Sequence, residues 1–474
     1  MAIPANRLIP LIVAVALFME NMDSTIIATS LPAIANDIGA DPLALKLAIT
    51  SYLLSLAVFI PASGWTADRF GTRTVFRAAI AIFMLGSIGC AISSSLTDFV
   101  IARIVQGIGG AMMTPVGRLV LVRSISRREL VGAMAWLSTP ALVGPMIGPP
   151  VGGFITTYAS WHWIFLINIP IGLVGIALVS RYFENIKVEN PDRFDFVGMI
   201  LSGLGIGGVA FGFSILGLNF LPWTISIALI VFGGCFIAAY LMHARRTPVP
   251  ALDLTLFKIP TFRGGVVGGF LFRLGIGALA FLLPLMLQVG FGFSPFHSGL
   301  VTFASAVGAM TMKLGVSSIL KRVGFRNVLM VNAIVSAAFL AACAAFTATT
   351  PISVMFAILL IGGFFRSLEF TCINAIVYAD VEPERAGHAT SLVSVAQQLS
   401  VSTGVAVGAL LVETSVRLKS EPLIVADDFP IAFLVVSAIS AASLLFFAAM
   451  PNDAGAELAN RLPAPTENDD PRVG

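Results

Sequence analysis

Two acids three residues apart, Glu20 and Asp23, stand in an otherwise apolar run near the start of the chain. On a helix that spacing puts both carboxyls on one face. Carboxylates that close in a desolvated cavity would tend to hold a proton between them, so the pair is a candidate proton carrier. Glu369 repeats the theme, with Arg366 three residues before it on the same face. A second group is cationic. Arg118, Arg273 and Arg366 lie inside apolar runs, and with Gln288, Asn374 and Gln397 they are candidates to line a substrate cavity. Arg103 and Lys313 lie nearer run ends, where a structural ion pair or a snorkelling side chain competes with a functional role. A charge facing lipid at mid-membrane costs about 2.5–3.5 kcal/mol on the low estimate, so these groups should face a cavity or one another. Other chemistry lacks support. There is no Ser/His/Asp set and no metal-ligand spacing, Gly107-x-Gly109-Gly110 follows no strand, and the four Cys and four His are scattered. No enzymatic reaction, metal or cofactor is expected.

The elements that must hold these residues are membrane spans. Of 474 residues 57% are hydrophobic and 11% charged, where a soluble domain has about a quarter charged. The net charge of +3 is too small to argue for nucleic acid. A span needs about 20 mostly apolar residues. Fourteen runs qualify, from 8–30 to 430–450, and 131–154 and 297–317 are among them. Alternate loops carry the Lys and Arg: Arg69, Arg73 and Arg77, then Arg123, Arg127 and Arg128, with further sets ending at Arg385. The opposite loops carry Lys46, Arg417 and Lys419. That bias puts the first set in the cytoplasm, and an even number of spans puts both termini there. The first run, with Glu20 and Asp23 inside it, reads as a span and not a cleaved leader. The acidic tail 451–474 reads as disordered.

A charged island, Gly64-xxx-Asp68-Arg69-x-Gly71-x-Arg73, lies between two of the apolar runs. Asp68 is expected to lock a conformation through Arg69, Arg73 or Arg123. The island is echoed by Arg322-Val323-Gly324-Phe325-Arg326, and Gly132-Ala133 by Gly387-His388-Ala389, at nearly the same offset. Two repeated halves, 1–190 and 246–450, with an inserted pair of spans in 191–245, would give that pattern, and parallel halves are a transporter architecture. Gly144, Gly148 and Gly152 share one helix face and permit close approach. Pro145 and Pro149 remove backbone donors and can bend the helix. Together they could act as an adjustable gate.

These residues resemble the major facilitator superfamily. The island matches its loop motif, although Lys321 stands where the second copy would have Asp. Arg103-xx-Gln106-Gly107-x-Gly109-Gly110 looks like its span-4 motif, and Gly144-Pro145-xx-Gly148-Pro149-xx-Gly152-Gly153 like its antiporter motif. Met22-Asp23-Ser24-Thr25 and Trp161-His162-Trp163-Ile164-Phe165-Leu166-Ile167-Asn168-Ile169-Pro170 are similar to the fourteen-span drug:proton antiporters, and His243-Ala244-Arg245-Arg246-Thr247-Pro248 to the MdtD group within them. The resemblance implies an all-α polytopic membrane protein of two six-helix bundles plus two inserted helices. It implies a proton-coupled exporter of drugs or amphiphilic compounds in a bacterial inner membrane, surrounded by lipid and working as a monomer without nucleic acid. It places proton-titrating acids at positions such as Asp23, Glu20 and Glu369, and the gate at Gly64, Asp68, Arg69, Gly71, Arg73, Arg103, Arg123 and the glycine ladder. An exporter of an organic anion such as citrate or its metal chelate is the alternative, because basic groups in the spans match or outnumber acids. A membrane channel is the alternative from another class.

Overall fold

In lipid every backbone polar group must find its partner within its own segment, and helices achieve that. A computed structural model describes residues 5–124, 144, 147–188, 194–216, 222–248, 250–313, 315–382, 385–419 and 423–456, and no strand occurs among them. Helix α1 (Ala5–Ile26) closes in a 3-10 turn, Ile27–Thr29, before the short α2 (Leu31–Asp37). Helix α3 (Lys46–Phe59) passes through a 3-10 turn, Ile60–Ala62, into α4 (Ser63–Phe70). Then come α5 (Thr72–Ala91), α6 (Leu96–Ser124), α7 (147–158), α8 (Trp163–Leu166) and α9 (Asn168–Tyr182). Helices α10 (Phe196–Ile215) and α11 (Trp223–Ala244) form a hairpin. The rest are α12 (Pro260–Leu285), α13 (Pro295–Lys313), α14 (Val316–Val323), α15 (Phe325–Ala342), α16 (Ile352–Ile376), α17 (Ala386–Lys419), α18 (Pro430–Ala441) and α19 (Ser443–Ala448).

Twelve helices among the described residues are long and apolar enough to cross a membrane, which corrects the expected fourteen. Two of the expected spans account for the difference. Most of 131–154 lies outside the described residues. The run 297–317 corresponds to α13, where His297, Ser298, Thr302, Ser305, Thr311 and Lys313 dilute the apolar character and which is not one of the twelve.

Helices α1, α3, α5, α6 and α9 pack mainly on one another, and so do α12, α13 and α15 to α18. The two groups meet along α3 and α17. One apolar core, with Ile26, Leu31, Phe99, Trp161, Leu282, Val405 and Phe429, joins both groups at the end of the molecule holding α2 and α8. Toward the opposite end, where the Arg-rich loops lie, the apolar side chains divide into two further clusters, each built mostly from one group. The α10–α11 hairpin rests on α3 and α17, and only 22% and 17% of its most apolar stretches are buried, so it presents most of its surface to lipid.

The sequence echo is also a structural one. Helices α4 and α14 end at Gly71 (φ 94°, ψ 141°) and Gly324 (φ 84°, ψ 158°), conformations in which a side chain is strained. Each turn clasps the segment after the last helix of its group. Thr74 N–H donates to Asn185 Oδ1 at 3.2 Å, and Arg326 Nη1 donates to Asn452 Oδ1 at 2.5 Å.

Candidate functional site

Asp23 is fully buried on α1 and gathers side chains from α6 and α9. Its Oδ2 accepts a hydrogen bond from Arg103 Nη1 at 2.7 Å. Its Oδ1 accepts from Gln106 Nε2 at 2.9 Å and from Asn168 Nδ2 at 2.8 Å. Arg103 and Gln106 are one turn apart on α6, so both reach the same carboxyl. Arg103 also donates through Nε to the Ala48 carbonyl, and its guanidinium lies 4.3 Å from the centre of the Tyr52 ring. Ser87 of α5 accepts from both amides, 2.8 Å from Gln106 Nε2 and 3.1 Å from Asn168 Nδ2. Gly86 brings Ser87 there: a Cβ on it would strike the Gln106 backbone, so a larger residue would push α5 and α6 apart. Charge alone selects Asp23 and Arg103 from the sequence. The amides and the serine carry no charge signal, but Gln106 and Asn168 stand within the two motifs quoted above.

Glu20, one turn before Asp23, accepts from the Thr114 hydroxyl at 2.9 Å. Glu369 is buried on α16 and accepts from Asn332 Nδ2 of α15 at 3.0 Å. Arg366, on the same face of α16, turns instead to the Ser305 hydroxyl of α13. Arg273 of α12 is 1% exposed, donates to Asn374 Oδ1 at 2.8 Å and packs 5.2 Å from the centre of the Phe370 ring. Lys313 donates to the Thr371 hydroxyl at 2.8 Å. Arg366, Phe370 and Asn374 are four residues apart in turn, so α16 presents one ridge with Arg273 beside it. Among the described residues none of Arg273, Arg366 and Lys313 has a carboxylate within 4.0 Å, whereas Arg103 does. Gln288 lies elsewhere, in a π-turn (Met286–Gly290), where its Nε2 donates to the Thr29 carbonyl at 2.9 Å and links the two groups. Gln397 is half-buried on α17, its carbonyl accepting the Ser400 hydroxyl. The side chain of Arg118 lies outside the described residues.

The glycine ladder packs on α1. Cβ atoms on Gly144, Gly148 and Gly152 would meet Phe18, Thr25 and Ile26 respectively. Gly153 and Pro149 face the start of α13, where the partners are Pro295 and Gly299, so α7 fills the seam between the groups. The Thr29 hydroxyl approaches the Pro149 carbonyl at 3.4 Å. Pro145 and the Arg123 side chain lie outside the described residues. The Asp68 carbonyl accepts from Val188 N–H at 3.1 Å, and Thr72 N–H donates to the Ile186 carbonyl at 3.1 Å. Gly64 and Arg69 are exposed, and Arg73 is half-buried. The island therefore holds the segment after α9. At the other end of the seam Lys46, 0% exposed, pairs across the groups with Glu413 at 3.4 Å.

Outside the spans, Asp253 bonds Arg385 at 2.6 Å and ties the approach to α12 to the start of α17. Burial opposes its charge, but hydrogen bonds from Thr255 and Arg385 outweigh burial and hold the carboxyl below its ordinary 3.8. Among the described residues no cluster of His, Cys, Asp and Glu could hold a metal ion.

The sequence profile of the Major Facilitator Superfamily matches residues 13–242 and 265–468. A protein of Salmonella heidelberg (strain SL476), provisionally named multidrug resistance protein MdtD, is 38% identical over 454 residues, covering 93% of this chain and 94% of its own. The protein of the same name from Salmonella typhi matches to the same extent. Among solved structures, a D-xylose–proton symporter superposes with a TM-score of 0.67 at 15% identity, over 94% of this chain and 98% of its own. A bacterial homologue of the human lysosomal transporter Spinster, in an inward-facing and unoccupied conformation, gives 0.63 at 15%, over 98% and 100%. Those two share the fold. With the profile matched over most of its length and relatives aligned nearly end to end, the chain belongs to the Major Facilitator Superfamily: it is a multi-pass membrane transporter of small molecules and not an enzyme.

Proposed function

We propose that the chain is a proton-coupled antiporter that exports drugs or amphiphilic compounds across a bacterial inner membrane by alternating access. The observation that carries this reading is the buried Asp23–Arg103 pair. A carboxyl with a movable counter-charge can trade Arg103 for a proton, and each exchange changes which helices it binds together. Glu20 and Glu369 are the further acids available for coupling. The shared core at the α2 and α8 end supports a state sealed outside, with 1–190 and 246–450 as the moving units, the 191–245 hairpin at their edge and both termini in the cytoplasm. The names of the Salmonella relatives support drugs as substrates.

A second reading, export of an organic anion such as citrate or its metal chelate, is favoured by Arg273, Arg366 and Lys313. Each is bonded to a neutral group; Arg273 is buried and the other two are half-buried, and a desolvated cation without a counter-ion is costly unless something anionic visits it. Purified protein in liposomes, given a proton gradient and a panel of lipophilic cations and tricarboxylates, separates the two. Concentrative movement of one class that stops when the gradient is collapsed supports coupling and names the substrate. Flux indifferent to the gradient would overturn the coupling.

A further inference from the structure

The cage around Asp23 is complete for one charge state only. Arg103, Gln106 and Asn168 all donate to the carboxyl, so each bond favours the ionised form. Ser87 receives both amides and gives its own hydrogen to the Phe83 carbonyl at 3.0 Å. A protonated Asp23 has an O–H that needs an acceptor. Gln106 cannot supply one by turning round, because its Oε1 already holds Arg103 Nη1 at 2.5 Å. Asn168 differs. It is fully buried, and its Oδ1 has no hydrogen-bond partner among the described residues. Rotation of its amide by half a turn gives up no bond on that far side. The turned oxygen faces Asp23 and Ser87, and the Ser87 hydroxyl can rotate to donate to it, since a hydroxyl serves either way.

We propose that Asn168 is a positioning residue that reads the charge of Asp23, donating to the carboxylate and accepting from the acid, with Ser87 following. This rests on Asp23 being the proton carrier. When the proton arrives, Arg103 loses its counter-charge and α6 is held to α1 here only by the neutral Gln106 bond, while α9 keeps a bond to α1 through the turned amide. Among the described residues, the other charged or titratable groups facing the site are Arg103 on α6, Glu20 on α1, Tyr52 on α3 beneath the guanidinium, and Cys90 on α5, whose thiol lies 3.9 Å from Gln106 Oε1. Arg103 has no acceptor to offer, and one oxygen of Glu20 is bonded to the Thr114 hydroxyl of α6.

The test is a pH titration of full-length protein in lipid nanodiscs by infrared spectroscopy. The Asp23 acid band is assigned by its loss in Asp23→Asn, and the Asn168 amide band by its loss in Asn168→Leu. In the wild type the Asn168 band should change with the same midpoint as the Asp23 band. In Asn168→Leu the Asp23 midpoint should rise by about one pH unit, because the lost bond favours the charged form more than its counterpart favours the acid. Asn168→Ser, which can still donate and accept, should bring the midpoint back toward the wild type. An Asn168 that only donated and never turned would give the same rise in Asn168→Leu but a constant amide band in the wild type, so the wild-type band separates the two. An Asn168 band that stays constant while Asp23 titrates would overturn the proposal, and this wild-type measurement decides even if a variant fails to fold. Loss of coupling in Asp23→Asn together with a constant Asn168 band removes only the role of Asn168. Intact coupling in Asp23→Asn removes the reading on which that role rests.

Discussion

Arg103 on α6 and Asp23 on α1 meet at 2.7 Å, with side chains 1% and 0% exposed. Neither charge has water to fall back on, so each depends on the other. Removing one partner of a buried pair typically costs about 3–5 kcal/mol, because the survivor is left uncompensated. Arg103→Met should therefore lower stability by an amount of that order, and adding Asp23→Asn to it should recover much of the loss. Thermal unfolding in detergent of both single variants and the double variant measures this. Equal losses in Arg103→Met and the double variant would show that the pair does not hold these helices together.

Gly71 should tolerate no side chain. Its φ of 94° is strained for other residues, and a Cβ would run into Asn185. Strain of this kind costs about 1–3 kcal/mol. Gly71→Ala should lower stability accordingly, while Gly64→Ala, with nothing within 4 Å, should be nearly neutral. Comparable melting temperatures for the two variants would contradict the clasp.

The Lys46–Glu413 pair crosses the seam on the side that the basic loops avoid. Arg417 also approaches Glu413, at 3.4 Å from its other oxygen. Glu413→Gln should shift the population toward the state open at that end, and a few kcal/mol is enough to move such an equilibrium strongly. Exchanging the two charges should restore the seal in part. Labelling of a cysteine placed at Thr25, under the glycine ladder, reads the shift, and labelling rates unchanged from wild type would count against a latch.

Asp253 should make stability depend on pH. Its folded carboxyl lies below the ordinary value of 3.8, so its contribution is present above 3.8 and is lost as the pH falls through the lower folded value. Asp253→Asn should cost about 1 kcal/mol near neutral pH, as partly exposed pairs do, and progressively less in acid. A gap between wild type and variant that widens on acidification would reverse the sign and refute the assignment.

How far the site could be read in the sequence depended on charge. Asp23 stood out because an acid in an apolar run is costly. Arg103 stood out for the same reason, both as a gate residue and as half of an ion pair, but nothing along the chain announces that its partner is residue 23. Asn168 and Ser87 are neutral, and span composition hides them. Gln288 read as a cavity group, but the π-turn around it alters the helical register, and it bonds Thr29 at the seam. The helical class followed from hydropathy; the span count did not, because α13 mixes hydroxyls and His297 into an apolar run and most of 131–154 lies outside the described residues. The echo at Gly71 and Gly324 was legible as a repeat. The two asparagines it clasps were not, since they lie far from it in the chain.

The central claim is that Asp23 carries the driving proton. Asp23→Asn mimics the protonated form and cannot cycle. Proton-driven efflux and substrate binding should be measured side by side in liposomes containing wild-type or Asp23→Asn protein at equal abundance. Concentrative efflux should vanish in the variant, while downhill exchange persists if Asp23 only couples. Full concentrative, proton-driven efflux by Asp23→Asn would contradict the claim and move the coupling role to Glu20 or Glu369.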